Sequence, residues 1–99
     1  MSTPGRFSWR ERKRRENLWK HGIDFPDVAR VFDGPSIDAY DAEHSESEER
    51  WRRLVWLDGQ VVVVVYTETD EKVRLISARS GTALEARLYL WQFFGEQPQ

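Results

Sequence analysis

The sequence predicts an α+β fold in which helices pack on an antiparallel sheet of three to four strands. Two helix-type apolar patterns come first, three closely spaced strand-type runs follow, and a helix-type pattern ends the chain. The very short connections between the runs require antiparallel neighbours. A chain of 99 residues that is 39% hydrophobic supports one core. We therefore expect a single domain over residues 1–99, with its core at about 7–94.

The first helix is predicted from about Trp9 to His21. Ser8 and Glu11 have the spacing of a capping box, and Gly22 is a typical stop. A helix this basic is stable only when it is docked on something. We expect its few apolar neighbours to anchor it, namely Phe7, Trp9, Leu18 and Trp19.

A second, short helix is predicted after Asp24, with Pro26 in its first turn. Its apolar residues recur at helical spacing and form one buried stripe, which contains Phe25, Val28, Ala29 and Phe32. Gly34 and Pro35 end this helix. We then expect a short edge strand over 36–40 and, over 41–49, an acidic turn-like stretch that is the least ordered part of the chain.

Three strands are predicted next, over 50–57, 61–67 and 72–78. The first alternates between apolar and polar residues, whereas the second is apolar throughout, as in a central strand covered on both faces. Asp58-Gly59 is a strong signal for a two-residue hairpin turn.

The last predicted helix begins at a second capping box, formed by Thr82 and Glu85, and reaches about Phe94 before Gly95. Its apolar residues form two stripes, one of Leu84, Leu88 and Trp91 and one of Ala83, Ala86, Leu90 and Phe94. Such a helix is typical of an element with two partners, its own sheet and another chain. Core packing alone is the alternative interpretation.

Charge is distributed unevenly along the chain, although the net charge is only -2. Residues 1–20 carry +5, residues 21–49 carry -8 and residues 50–99 carry +1. This segregation indicates either a dipolar surface that attracts a polyanion on one side or two solvated faces. The chain contains no cysteine, which excludes disulfides, Cys-ligated zinc and a thiol nucleophile. No apolar run is long enough to span a membrane.

The residues suited to chemistry are arginines, His21 and carboxylates. Metal-free cleavage of an RNA backbone needs a base, an acid and cations that stabilise the charged phosphorane. His21, Glu49, Arg50 and Arg79 are of the right types, and arginine grips phosphate oxygens bidentately. Arg50 begins the first long strand and Arg79 ends the third, so we expect them at opposite ends of the sheet unless other elements bring them together. The 41–44 segment could supply metal ligands, but a solvated loop is the favoured interpretation.

Several segments together resemble the BrnT toxin family. They run in the expected order from Phe7 to Tyr89 and comprise Phe7-Ser8-Trp9, Asn17 to Gly22 with Phe25, Ala29 to Asp33, Ser47 to Trp51, Ile76-Ser77-Ala78-Arg79, Glu85 and Tyr89. The resemblance implies a RelE-like ribonuclease toxin of a type II toxin–antitoxin system that cuts RNA and inhibits translation. It also implies that a BrnA-like antitoxin neutralises the toxin. Only the antitoxin would contact operator DNA in the resulting complex.

The resemblance implies catalytic residues at His21, Glu49, Arg50 and Arg79, with Glu85 and Tyr89 as candidates on the last helix. It implies no metal and no organic cofactor. Together with the basic segments, it predicts RNA contacts by Lys20, Arg12, Arg14, Arg15, Arg74 and Tyr89. We expect a cytoplasmic protein without a membrane partner. For the oligomeric state, a homodimer and a heterotetramer with the antitoxin are the alternatives.

The chain departs from the family pattern at two places. Arg10 stands where an acidic residue is usual, and Ser80 to Leu84 replaces a usually basic run. The second departure favours an alternative, a catalytically attenuated or inactive module that mainly binds an antitoxin and takes part in autorepression. A third interpretation is a nucleic-acid-binding domain that uses the basic first helix.

Overall fold

A computed structural model describes residues 5–95, so that both ends of the predicted domain, 1–4 and 96–99, lie outside the described residues. Three α-helices pack on one five-stranded mixed sheet, whose strand order is β1-β5-β4-β3-β2. The elements are β1 (Phe7–Ser8), α1 (Glu11–His21), α2 (Phe25–Val31), β2 (Ser36–Tyr40), a 3-10 turn (Ala42–His44), β3 (Trp51–Leu57), β4 (Gln60–Thr69), β5 (Lys72–Ser80) and α3 (Ala83–Phe94). The α+β class is confirmed.

The prediction of a wholly antiparallel sheet with three to four strands was wrong, because β1 adds a parallel edge strand. Phe7 pairs with Val73 and Ser8 with Arg74. Ser8 is therefore a strand residue and does not cap α1, which begins at Glu11 without a side-chain cap. A two-residue strand is too short to show the alternation by which strands are recognised in a sequence.

The remaining elements follow the sequence pattern closely. β2 is the predicted edge strand and pairs antiparallel with β3. Asp58 and Gly59 both have positive φ angles, 50° and 84°, as the two-residue turn between β3 and β4 requires. Thr82 and Glu85 form the predicted capping box at the start of α3.

Alternation along β3 and β4 divides the sheet into two covered faces. The face under α1 and α2 holds the main core, which includes Phe25, Val28, Phe32, Val55, Val62, Val64 and Leu75. The opposite face, here called the α3 face, holds a smaller core of Leu54, Val61, Val63 and Tyr89, with Ala86 and Ile37 packed against it. The uniformly apolar character of β4 thus reflects burial on both sides, as predicted.

The predicted anchors of α1 are only partly right. Phe7 and Trp9 pack against the main core, whereas Leu18 and Trp19 are 40% and 84% exposed. The buried residue of α1 is Asn17. Its side-chain amide donates to the carbonyls of Ile23 and Ala78, both at 2.9 Å, and its Oδ1 accepts from the Ala78 N–H at 2.9 Å.

Asn17 therefore takes the place of a neighbouring strand beyond the end of β1 and docks α1 against the edge of β5. Buried backbone groups must find partners, and a side-chain amide supplies both a donor and an acceptor. Among the described residues, no helix has the length and apolar character needed to cross a membrane.

Candidate functional site

Four arginines lie together on the part of the α3 face that α3 leaves uncovered. Pairing with β4 places them there: Arg52 is opposite Val65, Arg74 is opposite Thr67 and Arg79 is opposite Val63. Arg50 directly precedes β3, two residues from Arg52, and so lies on the same side. We call this surface the arginine face, defined by Arg50, Arg52, Arg74 and Arg79.

A β-bulge in β5 brings Arg74 onto the arginine face. Five positions separate Arg74 from Arg79, so regular alternation would place the two side chains on opposite faces. The register shifts here, because Val65 pairs with Ser77 whereas Tyr66 pairs with Leu75, which leaves Ile76 as the extra residue. Bulges often re-aim a side chain next to a functional site.

Arg79 is held by a two-point ion pair with Glu85 on the first turn of α3. Its Nη1 lies 2.9 Å from Oε1 and its Nη2 lies 3.0 Å from Oε2. The Glu85 carboxylate also accepts from the N–H of Thr82 at 2.8 Å. The hydrogen bonds from Arg79 are the main cause that lowers the pKa of Glu85 to about 2, and the Thr82 amide adds to it. The same pair raises the pKa of Arg79.

Arg50 and Arg74 share a different carboxylate, that of Glu48. Its Oε2 accepts from Nη2 of Arg74 and lies 3.6 Å from Nη2 of Arg50. The Nε atoms of Arg50 and Arg52 are buried and have no hydrogen-bond partner. Arginine donors are thus left over on this face, although one acidic residue is already bound.

The Arg79–Glu85 pair lies some distance along the sheet from the two arginines that share Glu48, as the strand directions predict. Arg79 lies opposite Val63, whereas Arg74 lies opposite Thr67, four residues further along β4. At ~3.3 Å per residue this separation is about 13 Å. Because β3, β4 and β5 are sequential neighbours, Arg50 and Arg79 do not meet, but both border the same surface.

The predicted proton-transfer residues do not contact these arginines. His21 and Lys20 are exposed in the last turn of α1. Glu49 is exposed, and its backbone carbonyl accepts from the Thr67 hydroxyl at 2.8 Å. Within the described range 5–95, no hydrogen bond or ion pair joins the side chains of His21 or Glu49 to the arginine face.

The basic residues of α1 have different surroundings. Arg14 makes hydrogen bonds of 2.7 and 3.1 Å with Asp24, at the start of α2, and a further one with Glu11; these bonds raise its pKa. It therefore ties the two helices together. Arg12 is largely exposed beside Glu16, and Arg15 is exposed.

Tyr89 lies in the smaller core, beneath α3. It is buried, its ring stacks on Trp56 and its hydroxyl donates to the carbonyl of Pro35 at 2.8 Å. Burial raises its pKa. An RNA contact by Tyr89 stays a prediction, and this burial does not favour it.

The acidic stretch contains a 3-10 turn, Ala42–His44, that is held by local hydrogen bonds. The buried Asp41 carboxylate bonds Nδ1 of His44 at 3.0 Å, and the Asp41 carbonyl accepts from Ser45 at 2.6 Å. Ligand atoms of Asp41, Glu43 and His44 lie within 4.8 Å of one another. The hydrogen bonds of the 3-10 turn explain why these three side chains lie close together. We therefore assign no metal site to them.

The sequence did not single out Glu48 or Arg52 as site residues. The spacing of Arg50 and Arg52 along one strand was a usable signal, because residues two apart share a face. No such signal indicated that Glu48, and not Glu49, pairs with the arginines, because this depends on how the loop enters β3.

Comparison with known families places these residues in context. A family model described as the ribonuclease toxin BrnT of type II toxin–antitoxin systems matches residues 9–85. No curated protein matches the chain. The matched segment spans most of the domain and contains α1, α2, the whole of β2 to β5 and the Arg79–Glu85 pair. The chain belongs to the BrnT family of ribonuclease toxins of type II toxin–antitoxin systems.

Proposed function

We propose that this chain is a metal-independent endoribonuclease that binds RNA across the arginine face. The observation that carries the proposal is the placement of Arg50, Arg52, Arg74 and Arg79 on one uncovered sheet surface of a ribonuclease-family chain. Phosphate contacts by arginine supply most of the affinity for a nucleic-acid backbone. Their planar guanidinium groups also suit the charge that develops on the phosphorane.

The proposed reaction is an internal transfer at phosphorus. A base removes the 2′-hydroxyl proton, O2′ attacks the adjacent phosphorus, the P–O5′ bond breaks and an acid protonates the leaving O5′. Arg79 is proposed to hold the reacting phosphate during this step, whereas Arg50, which does not meet Arg79, is proposed to hold another phosphate of the same strand. Glu85 is proposed to position Arg79, since its strongly lowered pKa makes it a poor acid or base near neutral pH.

His21 and Glu49 are the proposed proton-transfer residues. Both are exposed and accessible to a bound strand. Neither contacts an arginine in the free protein, so the proposal requires that RNA bring the reacting atoms within reach of them. Catalytic hydrogen bonds commonly tighten only when substrate is bound.

The direct test is RNA cleavage by the purified chain in excess EDTA. We expect cleavage to continue, because arginine cations supply the charge stabilisation in this mechanism. Loss of cleavage on chelation, restored by a divalent metal, would overturn the metal-independent mechanism. Absence of cleavage with and without metal would overturn the enzymatic proposal itself and support the second candidate function.

The second candidate is a catalytically attenuated module whose main activity is antitoxin binding. The separation of the proton-transfer residues from the arginines favours it, and so does the exposed apolar side of α3. Growth arrest on expression of the chain alone distinguishes the two candidates, because a non-catalytic module does not arrest growth.

We also propose that the antitoxin covers the outer side of α3. Leu84, Leu88 and Trp91 point away from the sheet and are 65%, 54% and 59% exposed. These three side chains present on the order of 350 Å² of apolar surface, taking ~150–250 Å² for a large side chain. The largest patch on a typical monomer is ~300–600 Å² and is often functional, and each partner of a standard interface contributes ~800 Å².

Membership of a type II system implies that an antitoxin partner exists. The proposed partner is BrnA-like, binds operator DNA on behalf of the complex and releases a toxin that inhibits translation in the cytoplasm. These finer statements rest on the family resemblance and are part of the proposal.

A further inference from the structure

A small basic cleft lies between the start of α1 and the Arg50–Arg74 end of the arginine face. It has a volume of about 140 Å³ and is lined by Arg10, Lys13, Arg50, Arg74, Leu75 and Ile76. A water molecule takes up ~30 Å³ in the liquid, so the cleft admits a group several times larger than water. The bulge residue Ile76 forms part of its wall. We call this site the α1 cleft.

The charges around the α1 cleft are strongly unbalanced. Four of its lining residues are cations, and Glu48 is the carboxylate that pairs with two of them. No hydrogen bond or ion pair in the described part of the chain involves the side chains of Arg10 or Lys13. Like charges held close together favour binding of an anion, which relieves their repulsion.

The position of the Glu48 carboxylate indicates which anion fits. A single oxygen, Oε2, contacts both guanidinium groups, as one oxygen of a phosphate does when it lies between two arginines. The buried Nε of Arg50 still lacks an acceptor. A phosphate has more acceptor oxygens than a carboxylate, so it can use a donor that Glu48 leaves unpaired.

We infer that the α1 cleft is a second phosphate subsite for the RNA strand, and that Glu48, which pairs with two of its four cations, competes with that phosphate in the free protein. This inference rests on the proposed ribonuclease function. It assigns Arg10 and Lys13 to binding a phosphate that flanks the one at Arg79. Arg74, at the edge of the cleft, lies about 13 Å along the sheet from Arg79, which corresponds to no more than about four nucleotides at ~3.4 Å per stacked nucleotide.

The inference makes Glu48 inhibitory towards RNA binding. When RNA arrives, the Glu48 carboxylate leaves Arg50 and Arg74 and is replaced by a phosphate oxygen. Glu48→Gln removes the negative charge that competes for the arginines and that repels the RNA phosphates. We therefore expect it to tighten RNA binding by about three- to tenfold, the effect of one modest charge contact.

The test measures binding of a fluorescent single-stranded oligonucleotide, made uncleavable by 2′-O-methyl substitution, to the full chain across a range of salt concentrations. We expect the Arg10→Ala/Lys13→Ala double variant to bind about tenfold more weakly or worse. Its log-log salt slope should be smaller by about 0.7 for each lost phosphate contact. Arg30→Ala/Arg87→Ala is the matched control, because it removes the same number of cations from exposed positions on α2 and α3 that lie outside the cleft and outside the arginine face.

Failure of the inference can be told apart from failure of the proposed function. If wild-type chain binds the oligonucleotide and Arg79→Ala weakens binding, RNA binding by the arginine face stands, and cleavage in EDTA tests the enzymatic part of the proposed function separately. If the double variant then behaves like its control and Glu48→Gln binds like wild type, the second subsite is overturned. If wild type shows no salt-dependent binding at all, the proposed RNA function fails with it. Thermal unfolding of each variant verifies that binding changes do not arise from unfolding.

Discussion

Arg79 at the end of β5 and Glu85 on the first turn of α3 face each other in a two-point ion pair, with N–O distances of 2.9 and 3.0 Å. Glu85 is also the capping-box residue of α3. One carboxylate thus joins the start of a helix to an arginine of the candidate site. The orientation of Arg79 therefore depends on correct formation of α3, which links folding of the last helix to the geometry of the arginine face.

Replacement of Arg79 tests its proposed role in holding the phosphate. We expect Arg79→Ala to reduce RNA cleavage by about 10²–10³-fold, the range for loss of one group that stabilises transition-state charge. Arg79→Lys should recover only part of the activity, because an ammonium keeps the charge but loses the two-point geometry. Cleavage rates under single-turnover conditions measure both.

The matched control for this prediction is Arg30→Ala, which removes an exposed cation from α2 and should leave cleavage near the wild-type rate. Equal cleavage by wild type and Arg79→Ala would remove Arg79 from the mechanism.

Glu85 should make stability depend on acid pH. Its pKa of about 2 lies below the ordinary value of 4.5, so the folded state binds its proton less readily than the unfolded state does. The resulting stabilisation is complete above about pH 4.5 and is lost as the pH falls towards 2. Glu85→Gln keeps the capping pattern but removes the charge. We expect it to lower the free energy of unfolding at pH 7 by about 1–2 kcal/mol, allowing for solvent screening of a partly exposed pair.

Urea unfolding of wild type and Glu85→Gln at pH 7 and near pH 2.5 measures this effect. The difference between them should shrink at the lower pH. Glu16→Gln, which alters the exposed pair with Arg12, is the control and should change stability by less than about 0.5 kcal/mol. A Glu85→Gln difference that is the same at both pH values would contradict the assignment.

The sequence predicted those elements whose patterns extend over several residues. α2, β2, the Asp58-Gly59 turn and the Thr82 capping box could be recognised because turn residues and apolar spacing agree locally. β1 could not be recognised, since two residues carry no period. Ser8 also matched a capping pattern, and only the availability of the β5 edge decided between a cap and a strand.

The candidate site was predictable in composition but not in arrangement. Arg50 and Arg79 were singled out as phosphate ligands, and their separation followed from strand direction. Arg74 shares their face only because Ile76 forms a bulge, and the break in alternation between Leu75 and Ala78 does not by itself identify a bulge in the sequence. The pairing of Glu48 with two arginines likewise depends on tertiary contacts between a loop and β5.

Asn17 provides a test of how α1 is held. Its three hydrogen bonds satisfy the carbonyls of Ile23 and Ala78 and the N–H of Ala78. Asn17→Ala leaves these groups without partners in a buried place, so we expect unfolding free energy to fall by about 2–4 kcal/mol. The Ala78 amide hydrogen should also exchange faster with solvent. Leu18→Ala, at the exposed neighbouring position, should cost less than about 0.5 kcal/mol, and equal losses for both variants would refute the anchoring role of Asn17.

The outer side of α3 is the last feature to test. Leu88→Glu places a charge in the centre of the exposed apolar surface, where burial against a partner would be costly. We expect this variant to fold with little change in Tm but to lose co-purification with its antitoxin when the two proteins are produced together. Leu18→Glu makes the same change at an exposed leucine of α1 and should retain the partner. Undiminished co-purification of Leu88→Glu would exclude the outer side of α3 as the antitoxin site. If the wild-type chain alone forms a dimer, and Leu88→Glu dissociates this dimer but still co-purifies with the antitoxin, the surface is instead an interface between two copies of this chain.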